Sequence, residues 1–404
     1  MQGNEIYSLE QVMNNKNPFK SFWMAGYECT DKLNIFGNRV DFLRLTGHLN
    51  MLEQDYDQLD LFKIKTVREG VRWSQVEKKP FEYDWTTVQI MMQCGIKKGI
   101  QQVWDICHFG FPDDLTPLHP SFTHRFVALC RSFVKFYRTI DPVNTLIITP
   151  MNEVGFLSWL GGEEGATVPY CKHYGWQVKY ELMKAYIGAI EAIREEDNNV
   201  RILITEPLVS MVAPLHPTEE ELSKARKEHE DQFQVLEMLS GRLCPELRGR
   251  PEYLDILGLN YYYNNQWITG TQECLSWFNE DNDPRWKPLS DLLINVYRRY
   301  NRPIMLAETS HPKEHRPLWL NFIVNECIKV IKMGIPLFGI CWYPAIDRPD
   351  WDHLFPWHQS GIWDVFINDE GIPVRHLYEP LGEALLRAEE LINATFKEMP
   401  SIKE

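Results

Sequence analysis

The strongest constraint on the fold is an alternation, repeated eight times, of a short apolar run with a longer stretch of helical periodicity. The apolar runs are rich enough in apolar residues to predict strands buried on both faces. Eight buried strands that alternate with helices favour a closed parallel (β/α)8 barrel of the TIM type over an open sheet. The predicted strands are 22–28, 66–73, 100–109, 145–153, 200–207, 254–263, 302–310 and 337–344.

The intervening segments predict helices, and nothing divides the chain into two domains. An open doubly wound sheet would carry a phosphate-binding glycine turn after its first strand, and the sequence contains neither GxGxxG nor GxxxxGK[ST]. We therefore predict one domain over residues 1–404, with an N-terminal arm over about 1–20 and the barrel over about 21–395. The predicted helices are 52–64, 84–99, 121–140, 174–197, 229–240, 288–300, 316–333 and 379–393.

Charge and hydropathy exclude several classes of partner. The formal net charge of −14, with no dense Lys/Arg block, argues against nucleic acid. Residues 1–20 lack the basic start and apolar run of a signal peptide, and no apolar stretch is long enough to span a bilayer. We therefore expect a cytoplasmic protein without a membrane partner. The 14 Trp, 17 Tyr and 20 Phe favour stacking surfaces.

The nine cysteines form no CxxC pair, and several lie within apolar runs, so they predict reduced and mostly buried thiols. Cys107 and His108 are adjacent, but no third ligand stands at the spacing of a metal site. We expect neither a metal ion nor an organic cofactor.

Two glutamates follow predicted strands, Glu153 after the fourth and Glu308 after the seventh. A parallel barrel aims the side chains at its strand ends into one cup, so these carboxylates are predicted to face each other. Paired carboxylates suit glycoside hydrolysis, in which one protonates the leaving oxygen and the other attacks the anomeric carbon. A glutamate after a strand is more often a solvated charge, so the neighbouring residues carry much of the argument.

Those neighbours are polar residues at other predicted strand ends. Asn152 could bond a sugar hydroxyl, and Arg72 could keep a nucleophilic carboxylate ionised. Tyr262 and His108 end the sixth and third predicted strands with hydrogen-bond donors. Taken alone, Arg72 is more often part of a structural salt bridge and His108 a satisfied core histidine.

Six motifs, in order over residues 22–365, resemble glycoside hydrolase family 1, the β-glucosidase family of clan GH-A. DILGLNYYYNN (255–265) is similar to that family's DFLGLNYYTS, and DICHFGFPDDL (105–115) to its YHWDLPQxL. ITPMNEV (148–154) is similar to TFNEP, and MLAETS (305–310) to ITENG. After the last strand, WYPAIDRPDW (342–351) resembles WSLLDNFEW, and SGIWDV (360–365) resembles RFGLVYVD. The resemblance implies the barrel fold and a retaining β-glycosidase acting on carbohydrate.

Carried over residue by residue, the resemblance implies Glu153 as the acid/base and Glu308 as the nucleophile. It implies Arg72 and Tyr262 as partners of the nucleophile. The remaining implied roles are in sugar binding: the hydroxyl ligands Asn152 and His108, the stacking floor Trp342, and the pair Asp350 and Trp351 at the far hydroxyls.

Several positions depart from the family pattern. Glu28 stands where the family has Gln, Asp350 where it has Glu, and Phe109 where it has Trp. These changes concern the predicted sugar-binding residues, so a divergent sister family of the clan remains open. Two other functions also remain open: a transglycosylase that uses the same two glutamates, and a barrel that binds carbohydrate without cleaving it.

Overall fold

Eight parallel strands close into a barrel in the computed structural model, which describes residues 17–278 and 283–399. Each strand pairs with its neighbours in sequence, and β1 closes the ring by aligning Met24 with Thr66 of β2 and with Cys341 of β8. The predicted fold class is confirmed. The strands, numbered β1–β8 in chain order, are Trp23–Gly26, Thr66–Gly70, Gln101–Cys107, Ile147–Met151, Arg201–Pro207, Ile256–Asn260, Ile304–Thr309 and Leu337–Trp342.

Twelve α-helices occur in the described residues, and the larger ones cover the outside of the barrel. Numbered α1–α12, they are Phe42–Leu45, His48–Gln58, Trp73–Val76, Thr86–Lys98, Phe122–Ile140, Val154–Ser158, Gly175–Glu196, Glu219–Asp231, Gln234–Leu239, Leu289–Tyr300, Arg316–Lys332 and Glu379–Glu398. Single turns of 3-10 helix lie at Leu59–Phe62, Pro245–Leu247, Pro251–Tyr253 and Lys313–His315, and a π turn at Trp159–Glu163.

The structure contains three two-stranded sheets in addition to the barrel. Ser210–Val212 pairs in parallel with Gln266–Ile268, Glu77–Lys79 pairs with Glu82–Tyr83, and Trp363–Ile367 pairs with Pro373–Leu377. The last of these hairpins leads into α12. No helix in 17–278 or 283–399 combines the length and the apolar character needed to cross a bilayer.

The apolar core has two layers, as the strand periodicity requires. Alternate strand residues such as Leu203, Ile256 and Met305 fill the barrel interior, and the residues between them pack against the surrounding helices. The nine cysteines are free thiols, six of them buried, as predicted.

Some predicted boundaries are wrong, and two of them affect the site. Strand β2 ends at Gly70 rather than at residue 73, because Arg72 takes a left-handed backbone (φ 58°) that starts α3. Strand β8 ends at Trp342 rather than at 344. The segment predicted as one helix over 229–240 is two helices, α8 and α9. The predicted N-terminal arm falls mostly on residues 1–16, which lie outside the described residues.

Candidate active site

Glu153 is held at the end of β4 in a strained backbone conformation. Its φ of 46° is in the left-handed region, which residues with a side chain seldom adopt. The neighbouring strands fix this turn, because the Glu153 N–H donates to Thr205 O of β5 and the Asn152 N–H donates to Cys107 O of β3, both at 2.9 Å. Such strain is retained where the surroundings enforce it, which is common at functional sites.

A bulge in β7 turns Glu308 into the barrel. The pairing register of β7 shifts between Leu306 and Glu308 against β6, and between Leu306 and Thr309 against β8. Ala307 packs in the barrel interior, and strict alternation would therefore point Glu308 outward. Instead, Thr309 accepts a hydrogen bond from Trp319 of α11, and Glu308 faces the interior charges.

Arg68, not Arg72, is the cation that contacts Glu308. Arg68 Nη1 donates to Glu308 Oε1 (2.8 Å), and Nη2 donates to Asp105 Oδ2 (2.6 Å) and Asn152 Oδ1 (3.2 Å). The prediction for Arg72 is wrong, because that residue lies beyond the strand end and its Nη1 donates to Asp41 Oδ2 (2.6 Å). Arg68 is the middle residue of β2, where alternation points it inward.

Each glutamate also receives a neutral donor from the end of β6. The Tyr262 hydroxyl donates to Glu308 Oε2 (2.9 Å), as predicted, and Asn260 Nδ2 donates to Glu153 Oε1 (2.9 Å). Burial and the charges of Glu308 and Glu153 raise the pKa of Tyr262, so its hydroxyl keeps its proton and remains a donor.

A histidine network occupies the β3 side of the cup. His108 Nδ1 lies 2.9 Å from Asp105 Oδ2, and His108 Nε2 lies 3.4 Å from Asn152 Nδ2 and 3.8 Å from Glu28 Oε1. Burial lowers the pKa of His108, but Asp105 and Glu28 outweigh burial and raise it above the ordinary histidine value. The network therefore brings together Asn152, His108 and Glu28, three residues for which the sequence predicts sugar binding.

The aromatic ring beside this network belongs to Tyr343 rather than to Trp342. Tyr343 stacks on His108 with ring centroids 5.6 Å apart and 4° between the planes, and the Arg68 guanidinium lies 5.2 Å from its ring centre. Trp342 is fully buried in the layer between barrel and helices, where its indole N–H donates to Ser360 O. The burial of Trp342 in this outer layer is inconsistent with its predicted role as the stacking floor.

The electrostatics separate the two glutamates. Burial, and then the charge of Glu308, raise the pKa of Glu153 well above its ordinary range, and the hydrogen bond from Asn260 opposes this only in part. Glu308 has the Arg68 guanidinium against one carboxylate oxygen, so its negative charge is balanced locally. One carboxyl group is thus suited to carry a proton and the other to be an anion.

The predicted far side of the site contains Glu28, Asp350 and Trp351. Burial raises the pKa of Glu28, but Arg348, His108 and Thr30 lower it more, so Glu28 is an anion. Trp351 packs edge-on against Phe109, with ring centroids 5.5 Å apart. Asp350 lies on the exposed side, with its Oδ1 accepting the N–H groups of Asp352 and His353.

Three buried groups lie close enough together to be considered as metal ligands: Cys29, Asp105 and His108. The Arg68 guanidinium already bonds Asp105, however, and a permanent positive charge beside a divalent cation is unfavourable. The donor set therefore fits a hydrogen-bond network better than a metal centre.

Arg68, Asp105, Asn260 and Tyr343 are site residues that the sequence predictions missed. Period-two alternation within β2, β3 and β6 would have pointed Arg68, Asp105 and Asn260 inward, but the predictions considered only residues at strand ends. Tyr343 is missed because the sequence prediction selects the adjacent Trp342 as the aromatic residue of the site.

The comparisons with known proteins identify the fold. No protein-family model matches the chain, and no curated protein resembles it significantly in sequence. A family 1 β-glucosidase from Thermotoga maritima matches with a TM-score of 0.73 at 16% identity, over 94% of this chain and 99% of that one. The β-glucosidase from the same organism in complex with castanospermine matches with 0.72 at 15% identity, over 93% and 99%.

A third match, the AHE enzyme from Alicyclobacillus herbarius, has a TM-score of 0.68 at 15% identity, over 86% of this chain and 88% of that one. At such identities the likeness concerns the fold alone. This chain is therefore a single (β/α)8 barrel with the fold of the family 1 β-glucosidases.

Proposed function

We propose that this protein is a retaining β-glycosidase that cleaves β-linked glycosides by double displacement. The observation that carries the proposal is the environment of the two glutamates. Glu153 has a raised pKa and a neutral amide partner, whereas Glu308 is ion-paired to Arg68 and bonded by Tyr262. The fold shared with β-glucosidases supports the same reading.

In the first step, a carboxylate oxygen of Glu308 attacks the anomeric carbon. Protonated Glu153 gives its proton to the glycosidic oxygen, so the bond from the anomeric carbon to that oxygen breaks and the aglycone leaves. In the second step, Glu153 takes a proton from water, and the water oxygen attacks the anomeric carbon. The ester to Glu308 then breaks, and the sugar leaves with its original configuration.

The neighbouring groups position these two carboxyls and the sugar. Arg68 and Tyr262 orient the Glu308 oxygens, and Asn260 orients the Glu153 carboxyl. In this proposal Asn152 and His108, which lie 3.4 Å apart, bond sugar hydroxyls, and those bonds strengthen in an oxocarbenium-like transition state. Arg68 connects Glu308 to the residues proposed to bind the sugar, because it bonds Glu308, Asp105 and Asn152 at once.

The pH dependence follows from the pKa of Glu153. The first step needs Glu153 protonated, so kcat/KM falls as the pH rises through the pKa of that group. Because burial and Glu308 raise this pKa, the basic limb of the profile lies well above the ordinary value for a glutamic acid.

The direct test is the substitution Glu308→Gln. Because an amide cannot form the glycosyl ester, we expect kcat on a 4-nitrophenyl β-glycoside to fall by more than about 10³-fold. The matched control is Glu383→Gln on the exposed side of α12, which should behave as wild type. Near-wild-type turnover by Glu308→Gln would refute the assignment.

A further inference from the structure

An unpaired lysine lies inside the far end of the cup. Lys32, in the loop after β1, is only 1% exposed, and its Nζ has no hydrogen-bond or ion-pair partner in the described part of the chain. The ammonium lies 5.1 Å from the centre of the Trp351 ring. A buried ammonium without an acceptor is costly, so this group is suited to meet one from a ligand.

Two more donors near the same ring lack acceptors. Trp351 Nε1 and Arg348 Nε are buried and make no hydrogen bond within the described residues. The Arg348 guanidinium lies 5.5 Å from the Trp351 ring centre. Arg348 Nε is 3.2 Å from Glu28 Oε2, which makes an ion pair without hydrogen-bond alignment. Donors thus outnumber acceptors around this indole.

This donor group is joined to the catalytic residues. Glu28 links it to His108, since its Oε1 lies 3.8 Å from His108 Nε2. The Trp351 ring also packs against Phe109, which follows His108, and against Phe156, which lies in α6 shortly after Glu153. Glu28 and Trp351 therefore connect the donor group to residues adjacent to Asn152 and Glu153.

The charges around the ring favour a ligand with one negative charge. Among the described residues, Glu28 is the one carboxylate within ion-pair distance of Lys32 or Arg348, and it pairs with Arg348 rather than with Lys32. Asp350 and Asp352 also act on Lys32, but Asp350 is half exposed and both carboxylates accept backbone N–H groups. Burial lowers the pKa of Lys32, and the charges of Asp352, Asp350 and Glu28 offset this only in part.

We propose that the sugar held beside Glu308 is a β-linked uronic acid, and that Lys32, Arg348 and the Trp351 indole N–H bind its carboxylate. This inference rests on the proposed glycosidase function. A carboxylate supplies the acceptor oxygens that this group lacks and a negative charge at contact distance from Lys32, whereas the hydroxymethyl group of a neutral hexose supplies no charge. A phosphorylated sugar carries up to two negative charges, more than the group balances.

The test compares each acidic 4-nitrophenyl glycoside with its neutral parent. We expect kcat/KM for the β-D-glucuronide or the β-D-galacturonide to exceed that for the β-D-glucoside or β-D-galactoside by roughly 10- to 100-fold, since charge-assisted hydrogen bonds are worth that much. Equal or higher kcat/KM for both neutral parents would overturn the inference. So would a preference for β-D-glucoside 6-phosphate over both acids.

The substitution Lys32→Met assigns the effect to this group. It should reduce the preference for the acid by about tenfold or more, and the exposed control Lys184→Met should not change it. Because Lys32→Met removes an unpaired buried charge, we expect no loss of thermal stability. An unchanged preference in Lys32→Met would overturn the role of Lys32.

Binding separates this inference from the proposed function. Calorimetry with uncleavable 1-thio-β-D-glucuronide, 1-thio-β-D-galacturonide and their neutral parents measures recognition without turnover. If no glycoside is cleaved but an acid binds more tightly through Lys32, the glycosidase function fails and the recognition stands. If neutral glycosides are cleaved without any preference for the acids, the recognition fails and the glycosidase function stands.

Discussion

Strand β2 separates two buried ionic networks that differ in how completely their charges are balanced. Its consecutive residues Arg68 and Glu69 point to opposite faces. Inside the barrel, Arg68 joins the candidate active site around Glu153 and Glu308. Outside it, Glu69 accepts from the Tyr56 hydroxyl (2.6 Å) and lies 3.0 Å from His48 Nε2. The same strand thus contributes to the candidate active site on one face and to packing on the other.

The outer network balances its own charge. His48 Nδ1 lies 2.7 Å from Asp55 Oδ2, and Arg375 donates to both oxygens of Asp55. Burial lowers the pKa of His48, but Glu69 and Asp55 outweigh it and raise that pKa to about 9. Two cations therefore face two anions, Asp55 and Glu69, all within the core. The charges of this network are thus balanced, although Glu69 Oε2 makes no hydrogen bond within the described residues.

Charges in the inner cup are incompletely compensated at both of its ends. At one end, burial and the charge of Glu308 disfavour ionisation of Glu153, and at the other, Lys32 lacks an acceptor among the described residues. Groups that lack a partner in the free protein can interact with a substrate instead. The two networks indicate that a candidate functional site is marked by incomplete compensation of buried charges, and not by their burial alone.

Breaking the outer network should have the largest effect on stability. Asp55→Asn leaves His48 and Arg375 poorly compensated in the core, and we expect a loss of roughly 3–5 kcal/mol in the free energy of unfolding. The kcat of the folded fraction should remain near wild type. Chemical denaturation and kinetics at low temperature measure the two quantities.

The control is Asp57→Asn on the same helix, where the carboxylate pairs with Lys98 at the surface. Loss of that pair should cost less than about 1 kcal/mol. An Asp55→Asn protein as stable as the control would contradict the structural role of the outer network.

Altering the inner network should act on turnover instead. Arg68→Lys keeps the charge but loses the fork that bonds Glu308, Asp105 and Asn152 together, so we expect kcat/KM to fall by about 10²-fold. Arg72→Lys is the matched control and should change kcat/KM by less than about threefold. Equal losses in the two variants would show that Arg68 has no special part in the reaction.

A smaller effect should come from Glu206, a carboxyl at the end of β5. Its oxygens accept the Gly155 N–H of α6 (3.0 and 3.3 Å), and burial raises its pKa to about 8. Between pH 4.5 and 8 the unfolded chain releases this proton and the folded chain keeps it, so the group makes folding less favourable as the pH rises.

Glu206→Gln removes this loss and keeps an acceptor for Gly155. Relative to wild type, the variant should gain on the order of 1–3 kcal/mol in the free energy of unfolding between pH 5 and pH 9. Denaturant titrations at both pH values measure this gain. The exposed Glu383→Gln should show none, and a Glu206→Gln variant that matches it would contradict the burial argument.

The barrel and its two glutamates are predictable from the sequence because both depend on local pattern. Apolar runs locate the strands, and Glu153 and Glu308 stand where those runs end. The inward turn of Glu308 is not predictable, because it depends on a bulge set by pairing with β6 and β8. The error over Arg72 arises because its left-handed backbone ends β2 three residues earlier than the apolar pattern indicates.

Compensation between distant residues is equally hidden in the sequence. Nothing near Lys32 shows that its ammonium lies over Trp351 without an acceptor, since more than 300 positions separate the two residues. Likewise, the pairing of Asp55 with Arg375 crosses 320 positions. The contrast between the charge-balanced outer network and the incompletely balanced inner cup therefore exists only in the folded chain.

The most direct test of the double displacement is chemical rescue of Glu153→Gly. Without its acid/base, this variant should form the Glu308 ester from an activated aryl β-glycoside but hydrolyse it slowly. Added azide needs no base and fits the space left by the side chain, so it should restore turnover and yield the β-glycosyl azide. An α-glycosyl azide, or no rescue, would contradict the assignment of Glu153 and Glu308.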